Sequence, residues 1–248
     1  MKVQGVVLAI GFVGLGLSGS PAAAGAKGLD SEHPVTRALA FFATQGDGGG
    51  FDVARRLRPA PLSPGVRAMV MRALPPEGEL TPTPAELARI AGLDPMLDLH
   101  ERRGVVLVKV IDVGHAFVGL HARTVLLLSR DALSLLEAEE LQAVAAHEMA
   151  HELFWDEYAE ARERSDERRL QELELECDGI AVATASRLGQ GPEALVEAVT
   201  KMTRYNERRG AMGTAGRYVP LAQRRQFIRD VAAVLDGRGQ AVLSRFVP

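Results

Sequence analysis

The chain has 248 residues, of which 47% are hydrophobic and 25% are charged, and its formal net charge at pH 7 is -3. This composition is typical of a globular protein, and a chain of this length can bury a sizeable core without disulfides. No basic block stands out in the sequence, so the electrostatic requirement for nucleic-acid binding is not met. We therefore expect no nucleic-acid partner.

The N-terminus has the three parts of a secretory signal peptide. Lys2 precedes an apolar run over residues 3–17, and small residues follow as far as Ala26. This order predicts a signal peptide over residues 1–26, with cleavage after Ala24 or Ala26. The alternative is an uncleaved anchor. We expect a periplasmic or secreted protein with no membrane span after signal cleavage.

Residues 27–95 are predicted to form short helices joined by stiff, Pro-rich loops. Helices are expected over residues 33–44 and 66–74, with a glycine-rich break at 46–50. A third helix should begin after Thr83, where Pro84 and an acidic residue in the first turn follow a capping threonine, and it should end near Gly92. This segment contains no catalytic motif.

Residues 96–248 are predicted to form one α+β domain. The β-branched and apolar stretches 105–111, 115–120 and 124–128 indicate a small β-sheet. From residue 133 the pattern is helical almost to the end of the chain. Strands followed by a long helical run favour a mainly helical α+β fold with a small sheet.

The strongest chemical signal is His147-Glu148-Met149-Ala150-His151, within a helix predicted over residues 139–155. Histidines four residues apart project from one helix face, so both imidazoles can reach one metal ion. Glu148 then stands beside the metal, where it can accept a proton from water. The competing interpretation is a pair of core histidines that bond to backbone or carboxylate groups.

A third ligand is expected on the next predicted helix, over residues 170–188. Glu174 falls within the apolar stripe of that helix, and Asp178 lies at the edge of the stripe. Glu172 and Glu176 fall outside the stripe and are expected to be solvated. Glu174 can complete a ligand set, and Asp178 can accept a hydrogen bond from the outer nitrogen of a ligating histidine. The alternative for Glu174 is an edge residue paired with an arginine. Cys177 is interpreted as a buried structural thiol rather than a nucleophile, and Trp155 is interpreted as a core residue.

These two motifs resemble the M48 family of zinc metallopeptidases, here as a soluble, exported, HtpX-like member. The resemblance covers about residues 104–230 and rests on His147 to His151 and on Glu174 to Asp178. It implies a zincin-like (gluzincin) fold, Glu174 as the third zinc ligand, and Asp178 as the residue that orients His147. The sequence departs from the family pattern at Cys177, and at His115 and Val219 as well.

The resulting expectation is a zinc endopeptidase that binds one Zn²⁺ per chain and hydrolyses extended or unfolded proteins. Glu148 is the expected general base. A substrate peptide is expected to add as a strand beside residues 115–120. The oxyanion or substrate contact stays open among four candidates, which are His115, Tyr205, Tyr218 and Arg225.

Two other functions remain compatible with the sequence. One is a structural zinc site in a binding protein, and the other is a catalytically inactive, zinc-binding, chaperone-like protein that holds unfolded chains. Intact Glu148 favours the peptidase over the inactive relative. The oligomeric state and the physiological substrate are not indicated by any pattern.

Overall fold

A computed structural model gives the fold and describes residues 33–44, 49–74, 78–211 and 218–238. The predicted signal peptide over residues 1–26 lies outside these ranges. Among the helices in the described ranges, none is long and apolar enough to cross a membrane.

The described residues confirm the α+β class, with a mainly helical chain around one small sheet. They form four strands and eleven α-helices. In chain order these are α1 (Pro34–Ala43), α2 (Gly49–Leu57), α3 (Pro64–Ala73), β1 (Glu79–Leu80), α4 (Pro84–Ala91), α5 (Asp94–Leu99), β2 (Leu107–Ile111), β3 (Val118–His121), β4 (Val125–Ser129), α6 (Arg130–Leu135), α7 (Ala138–Ala150), α8 (Trp155–Glu163), α9 (Glu167–Arg187), α10 (Glu193–Arg208) and α11 (Leu221–Ala233). A short π-type segment, Val234–Arg238, follows α11.

The sheet has the strand order β1-β2-β4-β3. β2 and β4 are parallel, with Leu107 opposite Val125, whereas β1–β2 and β3–β4 are antiparallel. The three predicted strands are therefore confirmed as β2, β3 and β4, and β1 is an addition inside the Pro-rich segment. β3 stands at one end of the strand order and packs against α7.

The start of α4 follows from local capping chemistry. The Thr83 hydroxyl accepts from the Glu86 backbone N–H (3.3 Å), and the Glu86 carboxylate accepts from the Thr83 N–H (2.7 Å). This reciprocal pair satisfies two backbone donors that the helix itself leaves unpaired. The helix ends at Gly92. Both ends were predicted from the sequence, because both depend on residues within one turn.

The predicted helix over residues 139–155 is two helices in the structure. α7 ends at Ala150, His151 is its C-cap residue, and α8 begins at Trp155. The backbone N–H groups of residues 151, 152 and 153 bond to carbonyls three residues back, which tightens the last turn and ends the helix. Trp155, which was expected in the core, is half-buried and packs against it.

α9 is the central helix and packs against α1, α2, α7, α8 and α11. Gly179 allows the close approach of α1, because a Cβ at this position would lie 2.2 Å from the Phe42 ring. The buried apolar residues of α1 and α2 belong to the same core as those of α7 and α9. α2 itself was not predicted, since the glycine-rich stretch 46–50 was interpreted as a break; residues 45–48 lie outside the described ranges.

A buried histidine ties α5 to α9. The Thr184 hydroxyl donates to the Ile180 carbonyl (2.9 Å), so its oxygen accepts from the Nε2–H of His100 (3.0 Å). Burial, helped by the charges of Arg58 and Arg102, lowers the pKa of His100 from 6.5 to about 4. The neutral imidazole is therefore the form that the fold accepts.

This pKa predicts a loss of stability in mild acid. Above pH 6.5 the histidine is neutral in both states, and between pH 6.5 and about 4 only the unfolded chain binds the proton. The free energy of unfolding should fall by about 3 kcal/mol across that window because of this residue. Urea unfolding of wild type and His100→Gln at pH 7 and pH 4.5 measures it, since glutamine keeps an N–H donor without titrating.

The test compares the difference in unfolding free energy between wild type and His100→Gln at the two pH values. We expect that difference to shift in favour of His100→Gln at the lower pH. An identical difference at both pH values would show that His100 does not contribute to acid sensitivity.

Candidate metal centre

α7 and α9 bring the predicted ligands together in the core. His147 and His151 lie on the side of α7 that faces α9, and their rings meet edge to face with centroids 5.0 Å apart. His147 Nε2 lies 3.3 Å from Glu174 Oε2. One ligand atom from each of His147, His151 and Glu174 lies within 4.8 Å of the others, and all three residues are buried. This group can bind a metal ion.

The donor set fits a small divalent cation. Two ligand atoms bound about 2.1 Å from one tetrahedral ion lie about 3.4 Å apart, close to the 3.3 Å between His147 Nε2 and Glu174 Oε2. Two more buried atoms, His151 Nε2 and Glu148 Oε1, have no hydrogen-bond partner among the described residues. Buried polar atoms normally have partners, so a cation and its water are a chemically sensible addition at this point.

Asp178 and Arg224 fix the orientation of His147. His147 Nδ1 lies 2.8 Å from Asp178 Oδ1, which leaves Nε2 as the nitrogen that faces Glu174. Arg224 on α11 donates from Nε and Nη2 to the two Asp178 oxygens, at 2.7 Å each. Burial alone would raise the pKa of Asp178, but the Arg224 charge and the His147 bond hold it below its usual value. Asp178 thus remains an acceptor for the imidazole N–H.

Cys177 is buried, as predicted, and it contacts the second histidine. Its Sγ lies 3.5 Å from His151 Nδ1. Burial, followed by the charge of Glu174, raises the pKa of the Cys177 thiol well above its usual value. The thiol is therefore a neutral neighbour of His151, and consecutive residues of α9 contact the outer nitrogens of the two histidines.

Tyr158 on α8 contacts two of the ligand residues, Glu174 and His151. Its hydroxyl donates to Glu174 Oε1, and its ring meets the His151 ring edge to face at a centroid distance of 4.9 Å. Burial, then the charge of Glu174, raises the pKa of this phenol well above 10. The phenol accordingly keeps its proton and donates.

The buried ionisable groups have widely separated pKa values in the metal-free protein. Burial would lower the pKa of His147, but the hydrogen bond and charge of Asp178 raise it to about 9. Burial lowers the pKa of His151 to about 3 and raises that of Glu148 to about 8. Burial would also raise the pKa of Glu174, yet the neighbouring histidines lower it. A cation at the ligand group favours the carboxylate form of both glutamates.

The four candidate oxyanion contacts lie at different places. His115 is half-buried, its Nδ1 lies 2.9 Å from the Val113 carbonyl oxygen, and its ring packs against Phe117. Tyr205 accepts a hydrogen bond from Arg209 (2.8 Å). Neither contacts the ligand group in the described residues.

The arginine next to the site is Arg224 rather than the predicted Arg225. Arg225 is half-buried on the adjacent face of α11, where its charge acts on Glu193. Tyr218 does lie next to the site, because the Arg224 guanidinium is positioned over its ring at 5.0 Å. Helical spacing could not distinguish two consecutive arginines before the packing of α11 on α9 was known.

One prediction about α9 was wrong. Glu172 and Glu176 were expected to be solvated, but both are buried on the face opposite Glu174. Arg169 pairs with Glu172 (2.9 Å) and Glu176 (3.0 Å) there. Burial raises the pKa of Glu176 to about 7, although Arg169 opposes the shift. The error arises because α9 is covered on both faces, by α7 and by α1 and α2.

Sequence reasoning missed three residues that the structure brings to the site, namely Tyr158, Arg224 as the definite arginine, and Asn206. Asn206 is fully buried on α10 and bonds both peptide groups of Ala116, just before β3. An asparagine inside an otherwise amphipathic helix is the only local signal that could have drawn attention to it.

Comparison with known protein families, characterised proteins and solved structures gives no match to this chain.

The role of Asp178 is testable through metal affinity. In Asp178→Asn one oxygen can still accept from His147, but the negative charge is lost and the amide NH2 cannot accept from Arg224. We therefore expect affinity for Zn²⁺ to fall about 10- to 100-fold. Competition with a chromophoric chelator measures the Kd. Glu172→Gln, on the opposite face of the same helix, is the matched control and should keep the wild-type Kd. Equal affinities for all three proteins would contradict the assigned role.

Proposed function

We propose that this chain is a zinc-dependent endopeptidase that cleaves extended or unfolded proteins in the cell envelope. The proposal includes a gluzincin-type domain of the M48 family and export of the mature chain to the periplasm or the outside of the cell. The observation that carries it is the buried His147, His151 and Glu174 group with the Glu148 carboxylate beside it.

The donor set favours zinc among the divalent ions. Two imidazoles and one carboxylate are ligands that hydrolytic zinc sites use, with a further position left for water. When bound, Zn²⁺ supplies Lewis acidity, which lowers the pKa of a water molecule and polarises the substrate carbonyl. His147, His151 and Glu174 would hold it, while Asp178 fixes the tautomer of His147.

Glu148 is suited to move the proton. Its Oε2 lies 4.0 Å from His151 Nε2 and accepts from the Leu120 backbone N–H at 3.3 Å, while Oε1 has no described hydrogen-bond partner. Glu148 is therefore anchored by one oxygen and has the other available for water. It would accept the proton of the attacking water and return it to the leaving amine.

The edge of β3 supports an extended substrate. The Ser129 N–H donates to the Phe117 carbonyl, so the peptide groups of alternate residues face β4. The peptide groups of Ala116, Val118 and Leu120 point away from β4, toward α7 and α10. The Asn206 side chain makes two 2.9 Å hydrogen bonds to the N–H and the carbonyl of Ala116, and the Glu148 carboxylate accepts from the Leu120 N–H. A substrate peptide would then pair with β3 around Val118, directly beside Glu148.

The depth of the site favours a second candidate function. His147, Glu148 and His151 are 0% exposed, and every residue of β3 is buried as well. A peptide can reach the ligand group only after residues that bury β3 and the histidines move. A protein in which this movement does not occur would bind zinc without cleaving; if it holds unfolded chains on another surface, it is the inactive, chaperone-like alternative.

Glu148→Gln separates these two functions. The amide keeps the shape and the hydrogen bond to β3 but cannot take a proton, so kcat for an unfolded protein substrate should fall about 10²- to 10⁴-fold. Zinc content should stay at one ion per chain. Both are measured on the full mature protein, by a cleavage assay and by elemental analysis.

Glu139→Gln, an exposed change on the same helix, is the control and should match wild type. If wild type and Glu148→Gln both hold zinc and bind unfolded chains without cleaving them, the chaperone-like function is supported instead. Cleavage that survives both Glu148→Gln and chelation would rule out the mechanism.

Strand pairing at β3 predicts an alternating sensitivity to backbone methylation of the substrate. Pairing uses the peptide groups of every second substrate residue. N-methylation of a residue whose N–H faces β3 should therefore reduce kcat/KM about fivefold, through loss of a hydrogen bond of about 1 kcal/mol. Methylation of the alternate residues, whose N–H groups point away from β3, is the matched control and should have little effect. A series of singly methylated peptides tests this, and a uniform response along the series would contradict edge pairing.

A further inference from the structure

The two oxygens of Glu174 have different environments. Oε2 faces the histidines and lies 3.3 Å from His147 Nε2, whereas Oε1 accepts the hydrogen bond from the Tyr158 hydroxyl. Both residues are about 1% exposed, so bulk solvent does not compete with the phenol for Oε1. The phenol therefore determines which carboxylate oxygen points to the metal position.

This difference bears on the coordination of the ion. A carboxylate can bind a metal through one oxygen or through both, and a zinc site for hydrolysis needs three protein ligands with one position left for water. A Glu174 that used both oxygens would occupy the position needed by water. A hydrogen bond donated to Oε1 turns that oxygen toward Tyr158 and weakens it as a ligand, so it disfavours two-oxygen binding.

The tyrosine is itself held in place. Its ring packs edge to face on His151 with an interplanar angle of 80°, and α8 packs against α9. Tyr158 is thus fixed relative to two of the three ligand residues, on the side of Glu174 away from His147. Asp178, Cys177 and Tyr158 together contact the outer atoms of His147, His151 and Glu174, one for each.

The geometry points to Tyr158 as a positioning residue that keeps Glu174 a one-oxygen ligand and so reserves a coordination position for water. This inference rests on the proposed metallopeptidase function. It assigns to Tyr158 no contact with substrate, and its effect is exerted through Glu174.

The test is X-ray absorption of the zinc-loaded full chain, with Tyr158→Phe as the variant. Phenylalanine keeps the ring contact with His151 and removes only the donor. We expect one zinc per chain in both proteins, a one-oxygen carboxylate in wild type, and a two-oxygen carboxylate with less bound water in the variant. kcat should fall at least about tenfold while KM changes little.

Tyr205→Phe is the matched control for the spectrum, because this hydroxyl bonds to Arg209 and does not contact the ligand group. Its zinc environment should equal that of wild type. A two-oxygen Glu174 in wild type would overturn the inference without any variant, even if Tyr158→Phe failed to fold. An unchanged coordination in a folded Tyr158→Phe would overturn it too. Failure of wild type to bind zinc would instead overturn the proposed function.

Discussion

The contact between α7 and α9 places two histidines and three carboxylates in the core, and much of the surrounding structure serves to satisfy them. An ionised group in such a place costs several kcal/mol unless it is paired and hydrogen-bonded. His147, Glu174 and Asp178 meet this requirement within the cluster, and Arg224 on α11 completes it. A bound cation would satisfy His151 Nε2, and its water would satisfy Glu148 Oε1.

Arg224 joins the site to the rest of the helical layer. Its two bonds to Asp178 require α11 to pack on α9 at that level, and its stacking on Tyr218 fixes the segment before α11. Removal of one partner of such a buried pair leaves an uncompensated charge, which is much more costly than the loss of a surface salt bridge. The same pair therefore stabilises the fold and orients a ligand.

The sequence predicts best what depends on short-range spacing. His147 and His151 lie on one face because they are four residues apart, and Glu174 and Asp178 do so for the same reason, so the two halves of the cluster were predictable. Tyr158 and Asn206 were not, because each reaches its partner only after α8 or α10 has packed. Glu172 and Glu176 were misassigned because periodicity assumes one buried face, while α9 is covered on both.

The turn after α7 shows how the position of His151 is controlled from outside the cluster. His151 is the C-cap residue of α7, and Glu152 directly follows it. Arg102 donates two buried hydrogen bonds to the Glu152 carboxylate (2.7 and 3.1 Å) and a third, partly buried, to the Pro59 carbonyl (2.7 Å). The Pro-rich segment thereby holds one side of this turn, and Cys177 and Tyr158 contact His151 from the other. Because a ligand displaced by about 1 Å loses much of its value to a metal site, the N-terminal segment contributes to the site through packing, although it carries no catalytic motif.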